Sequence, residues 1–204
     1  CVSPCQGSST LSYSGATEPF AVPSCANTVI IEAWGAQGGR RNSAFGGQGA
    51  YMRCSYTDLS GVEVFVRVGE KGHDAQDSHP TNGGGGGGGS FIWKAGDVPL
   101  VIAGGGGGSS YQGNAGHSGL TSEQGGSGGY SAADIGEGGK TDNGGGGGTG
   151  AGGGGWFTAG QSNSWANGGA SKGGSGGTTS YAGQGGYGGG GASFHGGGGG
   201  GGYS

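Results

Sequence analysis

The clearest alternation in the chain runs through Val62-Glu63-Val64-Phe65-Val66-Arg67-Val68, where the valines fall on one face of an extended strand and Glu63, Phe65 and Arg67 on the other. Similar signals flank it. Residues 28–34 form a β-branched run closing on Trp34, residues 50–57 alternate apolar and polar positions, and residues 90–94 and 98–103 are two apolar segments around the turn-like Ala95-Gly96-Asp97. Two weaker segments, Thr10 to Ser14 and Phe20 to Val22, precede them. No helical period occurs anywhere. Seven short strands without a helix predict an all-β fold, an antiparallel sandwich or jelly roll.

Beyond residue 103 the alternation stops. The chain becomes Gly, Ser, Asn, Thr and Gln with sparse aromatics, and no stretch offers a strand with a face to bury. Of 204 residues 65 are glycine, crowded into unbroken runs at 83–89, 104–108, 144–148 and 196–202. Runs without side chains lose the most backbone entropy on folding and gain no apolar burial, so disorder is the default expectation. An ordered alternative needs the backbone itself as cement. With five prolines and no sustained Gly-X-Y phase, collagen is excluded. What remains is a bundle of polyproline-II-like rods, three residues per turn, whose N–H and C=O groups radiate sideways to neighbouring rods. Trp156, Phe157, Trp165, Tyr181, Tyr187, Phe194 and Tyr203 recur through this half and are assigned as plugs at rod ends. The competing reading makes them stickers in a disordered tail.

The expected organisation is therefore an N-terminal arm over 1–17, sandwich strands over 18–103 with a glycine insertion near 82–89, and a polyglycine-II bundle over 104–204 packed on the sandwich as one unit.

Phe20-Ala21-Val22-Pro23, Ile31-Glu32-Ala33-Trp34-Gly35-Ala36-Gln37-Gly38-Gly39, Gly47-Gln48-Gly49-Ala50-Tyr51, Val66-Arg67-Val68-Gly69 and the glycine run ending in Ser90-Phe91-Ile92-Trp93 follow one another in order, and then Leu100-Val101-Ile102-Ala103 leads into the next run. Over residues 18–110 this series resembles the glycine-rich domain of anaplastic lymphoma kinase and leukocyte tyrosine kinase, and of related secreted bacterial proteins. The resemblance implies a TNF-like β-sandwich carrying inserted polyglycine-II helices in a hexagonal bundle. In the receptor kinases this region takes part in binding cytokine ligands. The present sequence has no transmembrane segment, EGF-like cysteine pattern or kinase, so receptor function is not carried over.

Four cysteines, Cys1, Cys5, Cys25 and Cys54, lie in the β-rich part, and three connectivities are open to them. One or two disulfides joining the N-terminal arm to the sandwich, with Cys25 or Cys54 as the sandwich partner, suit an oxidising compartment. Zinc is disfavoured because no CxxC pair occurs. A start at Cys1 suggests removal of a signal peptide, with lipidation of Cys1 a further possibility. A net charge of −4 and one basic pair, Arg40-Arg41, read as a solvated turn, disfavour nucleic acid as a partner. Lacking a long apolar run or amphipathic helix, the chain is not expected to insert into a membrane.

His73, Asp74, Asp77 and His79 are the densest set of potential metal ligands, although no known loop template fits them and a polar loop would look the same. The Gly-x-Ser-x-Gly matches at 125–129 and 173–177 lack the preceding strand and following helix that a nucleophile elbow requires. Gly139-Lys140-Thr141 ends like a phosphate loop, but Asp134 stands where its first glycine belongs. No enzyme activity and no cofactor are expected.

The expected function is a secreted structural protein, a self-assembling subunit of a surface filament or matrix whose partner is itself or another extracellular protein. Its arm, with Val2, Pro4, Leu11 and Tyr13, would add a strand to the next subunit. The alternative is an adhesin or ligand-binding module of the cytokine-receptor kind; ice binding ranks lower, because no periodic Thr or Ala ladder is present.

Overall fold

The computed structural model describes residues 5–76, 81–121, 125–129, 138, 149–180 and 182–202. Among them there is no helix, and the fold is all-β. Six strands form two antiparallel sheets: β1 (Glu18–Ala21), β4 (Glu63–Arg67), β5 (Ser90–Lys94) and β6 (Val98–Ala103) in the order β1-β4-β5-β6, and β2 (Val29–Trp34) paired with β3 (Tyr51–Tyr56). Gly96 and Asp97, at φ 81° and 57°, make the tight reversal that pairs Lys94 with Val98.

Thr10 to Ser14, expected as a strand, is not one. Gly15 turns the chain at φ 75°, and the Tyr13 ring lies 6.0 Å from the Tyr187 ring, so the segment rests on the glycine-rich half instead of on a sheet edge.

The two sheets face each other across one apolar layer. Val29, Ile31 and Ala33 of β2 and Met52, Cys54 and Tyr56 of β3 meet Val64, Ile92, Val101 and Ala103 of the larger sheet, with Val22 and Leu59 closing the ends. Alternation in β5 and β6 sends Phe91 and Ile102 through to the opposite face of that sheet, where fully buried Trp156 covers them. Trp156 stacks on Phe91 at 5.9 Å and meets Trp93 edge-on at 5.5 Å. The larger sheet is thus covered on both faces, and one tryptophan ties the second half of the chain to it.

Five of the strand ends run straight into glycine segments: β2 into 35–39, 46–50 into β3, β4 into 69–73, 83–89 into β5, and β6 into 104–109. The change of conformation is visible in the hydrogen bonds of residues 83–89. The N–H groups of Gly83, Gly86 and Gly89 donate to Phe194, Gly191 and Gly188; those of Gly84 and Gly87 donate to Ser109 and Gly106; those of Gly85 and Gly88 donate to His73 and Glu70. Their carbonyls accept in the same rhythm. Gly83 and Gly86 accept from Gly183 and Gly186, Gly84 and Gly87 from Gly198 and Gly201, and Gly85 and Gly88 from Gly39 and Ala36.

Every third residue addresses the same neighbour, the signature of a threefold extended helix rather than the period of two in a sheet. Three segments receive bonds from this rod and three others send bonds to it, so it has six neighbours, as hexagonal packing requires. The lattice mixes directions: 106–109 descends as 84–87 ascends, whereas 198–201 runs parallel to 84–87.

Candidate functional site

Backbone saturation inside the lattice directs any recognition to its ends and to the sandwich surface.

The outer face of the β2–β3 ribbon is the first exposed feature. Register places Trp34 opposite Tyr51, Glu32 opposite Arg53 and Ile30 opposite Ser55. The Trp34 and Tyr51 rings lie 4.9 Å apart. Arg53 Nε is 3.3 Å from Glu32 Oε1, and the same carboxylate oxygen accepts the Tyr51 hydroxyl at 2.6 Å, which holds that phenol above its ordinary pKa. Ile30 and Trp34 are 52% and 60% exposed, an unusual amount for residues of this size on one small ribbon. Among the described residues no strand pairs with the outer edge of β2 or of β3.

The arm lies nearby in sequence, and its described part, residues 5–17, carries no strand or helix. Cys5 is bonded to Cys25, while Cys54, facing the inter-sheet layer, is a free thiol. Leu11 is half-buried and Tyr13 45% exposed. The arm's end is pinned: Thr17 Oγ1 accepts from both Nε and Nη2 of Arg67, whose guanidinium lies 5.6 Å from the Trp93 ring and 5.5 Å from that of Tyr187. Burial and the adjacent Glu70 carboxylate both raise the Tyr13 phenol pKa. Cys1, Val2 and Pro4 lie outside the described residues.

Of the metal-ligand set, Asp77 and His79 lie outside the described residues. His73 Nε2 sits 3.7 Å from Glu70 Oε1, and Asp74 is held by Lys71 at 2.7 Å and Arg40 at 3.2 Å. Burial alone would raise the Asp74 carboxyl; the Arg40 amide and the Lys71 ammonium outweigh it and hold the group below its ordinary range. Among the described residues no three His, Cys, Asp or Glu gather as a metal site. The Arg40-Arg41 pair enters a turn closed by the Arg41–Ala44 bridge, but Arg41 is not left in solvent: its Nη1 donates to the Asn82 carbonyl. The two Gly-x-Ser-x-Gly stretches form lattice and turn, with Gly126 and Gly129 donating to Gly105 and Gly108 and Lys172-Gly173 reversing the chain at φ 52° and 59°.

The late aromatics divide into distinct environments. Trp156 is buried against the sheet; Phe157, next to it, is 60% exposed. Tyr187 stands under the arm, its N–H donating to Glu70 Oε2 at 3.0 Å. Trp165, 57% exposed, stacks on Phe194 at 5.2 Å and 15°, Phe194 on His195 at 4.1 Å, and His195 approaches Tyr111 at 5.3 Å. This row of rings caps the turn between residues 183–192 and the 196–202 rod. Beside Trp165 opens a cleft of about 240 Å³ walled by Asn163, Asn167, Thr178, Thr179 and Ser180. Tyr181 and Tyr203 lie outside the described residues. Patterning along the chain gives no reason to single out His195, Tyr111 or this cleft, because their grouping depends on where the lattice turns. No protein-family model matches the chain, and no curated protein matches it significantly.

Proposed function

We propose that the chain is a non-enzymatic extracellular structural protein, a self-assembling subunit of a surface filament or matrix. The observation carrying this reading is the β2–β3 ribbon, whose two outer edges pair with no strand among the described residues and whose outer face displays Ile30, Trp34 and Tyr51. Unpaired edges are templates for a further strand, and a two-stranded ribbon gains stability from one. The exposed, strandless arm around Leu11 is the segment of the chain suited to supply it to a neighbouring subunit. A contact between two different surfaces propagates instead of closing.

The lattice supplies rigidity: the 83–89 rod is bonded through its backbone to six neighbouring segments, which suits a load-bearing element. The Cys5–Cys25 disulfide is compatible with an oxidising, extracellular setting. Kinship with the glycine-rich domain of the receptor kinases belongs to the same proposal; its support is the threefold hydrogen-bond rhythm of residues 83–89.

Negative-stain electron microscopy and sedimentation velocity of the full chain over a concentration series test the reading. Polymers that lengthen with concentration are expected, and a chain lacking residues 1–14, with Cys25→Ser to remove the orphaned thiol, is expected to stay monomeric. A full chain that is monomeric at every concentration, or polymers that form equally well without the arm, would overturn it.

A further inference from the structure

The cleft beside Trp165 has a chemistry that assembly does not use. We infer that it is a saccharide-binding subsite, taking one neutral pyranose unit of a glycan with its C–H face on the exposed indole.

Trp165 is held ready. One face of its ring stacks on Phe194, which is itself backed by His195, and its backbone is pinned at both ends, the N–H donating to Asn163 Oδ1 at 2.8 Å and the carbonyl accepting from Thr179 Oγ1 at 3.1 Å. A ring fixed before the ligand arrives loses little rotamer entropy on binding. The electron-rich face of an indole attracts weakly positive C–H groups as it attracts cations. Around it stand the amides Asn163 and Asn167 and the hydroxyls Thr178, Thr179 and Ser180, of which Asn163 Oδ1 and the Thr179 hydroxyl hold the Trp165 backbone and Asn167 Nδ2 donates to Thr178 Oγ1 at 2.9 Å. Amides and hydroxyls offer donors and acceptors side by side, which matches sugar hydroxyls that both give and accept.

The lining also excludes competitors. Among the described residues no charged side chain borders the cleft, whereas phosphate, sulfate or carboxylate ligands call for arginine or lysine and nucleic acid for a basic groove. A peptide would need an apolar pocket or a free strand edge, and this wall provides neither. At about 240 Å³ the cleft falls below the ~300–1,000 Å³ typical of drug-sized ligands, so it holds one ring at a time. Single-site affinity is accordingly weak, and useful retention comes from presenting many copies to a repeating glycan.

Fluorescently labelled full-length chain applied to a dense array of neutral and anionic glycans tests the assignment, since Trp165 belongs to neither the arm nor the ribbon of the proposed subunit contact. Binding to neutral pyranose glycans is expected, falling at least ~10-fold in Trp165→Ala with an unchanged thermal melt, because among the described residues this is the one ring that lines the cleft. Phe157→Ala, which removes another exposed ring, outside both the cleft lining and the proposed subunit contact, is expected to bind as the parent does. Trp165→Phe, which keeps a ring on Phe194, should bind more weakly than the parent and keeps the test readable if the alanine variant loses stability. No retained neutral glycan, full binding by Trp165→Ala, loss of binding in Phe157→Ala, or binding confined to anionic glycans would each overturn the inference.

Discussion

In the sandwich, Ile92 and Val101 share a layer of side chains with Ala33 and Met52; in the lattice, Gly88 meets Tyr187 with nothing but backbone between them. Both regions bury their polypeptide, yet they do so under different tolerances. A side-chain layer separates sheets by about 10 Å and can adjust by rotamer changes when one residue changes size. The lattice has no such layer. Its neighbouring backbones are joined directly by bonds of 2.7–3.1 Å around residues 83–89, and a methyl group has no rotamer to escape into. One region is specified by volume, the other by the absence of volume.

The most severe way to break the comparison is a single methyl at the lattice centre. A Cβ on Gly88 would lie 1.8 Å from the Tyr187 carbonyl oxygen and 2.9 Å from Gly188 Cα, backbone atoms fixed by bonds of their own. Gly88→Ala is therefore expected to cost more than ~5 kcal/mol, beyond the usual range for point substitutions, and to leave no folded protein by circular dichroism at 25 °C. Gly7→Ala, where a Cβ meets nothing within 4 Å, is the matched control and should change stability by less than ~0.5 kcal/mol. A folded Gly88→Ala variant would show that the lattice can dilate and that the distinction drawn here is too sharp.

Sequence patterning located the strands well where alternation was strong: residues 62–68 and 98–103 appear as β4 and β6 within a residue or two. It failed at Thr10 to Ser14, where a weak alternation is overridden by the contact of Tyr13 with Tyr187, a partner more than 170 residues away in the chain. Short glycine stretches such as 35–39 and 69–73 carried no signal of their own. Their membership of the lattice comes from lying at the ends of strands that aim them into it, with Ala36 and Glu70 bonding to Gly88. Nor could the sequence distinguish glycines that forbid a methyl from positions that accept one. Ala151, Ala166 and Ala192 sit fully packed in the lattice because their three methyls share one gap. The cleft at Trp165 was hidden for the same reason: it joins two turns, 163–167 and 178–180, that are local in sequence only to themselves.

The joint between the regions offers a milder test, because there the glycine half depends on ordinary apolar burial. Trp156 is 1% exposed and contacts Phe91 and Trp93, with the Lys172 ammonium 5.9 Å from its ring. Trp156→Ala is expected to cost about 3–5 kcal/mol, as other large-to-small changes in a core do. Hydrogen exchange should show where the loss falls. Amides of 149–177 would open below the global free energy, while β4 and β5 keep their protection. Uniform loss over both regions would mean that lattice and sandwich fold only as a single cooperative unit.

The smallest effect separates the regions by pH, since residues 83–89 carry no ionisable side chain whereas the sandwich layer holds Tyr56. Burial pushes the Tyr56 phenol up to about 12, with the neighbouring Cys54 adding to the shift, and its hydroxyl donates to the Leu100 carbonyl at 2.5 Å. A phenol whose pKa is higher in the folded chain than the ordinary ~10 favours the fold in its neutral form. Its contribution is complete below about pH 10 and is lost as pH rises through about 12, a loss on the order of 2 kcal/mol. Tyr56→Phe should lower stability at neutral pH by about 1 kcal/mol through the missing hydrogen bond and flatten the alkaline limb between pH 10 and 12 in urea titrations. An alkaline limb of unchanged slope in this variant would place the sensitivity on the other raised phenols, Tyr13 at the arm and Tyr51 on the outer face of the ribbon, and so outside the side-chain layer.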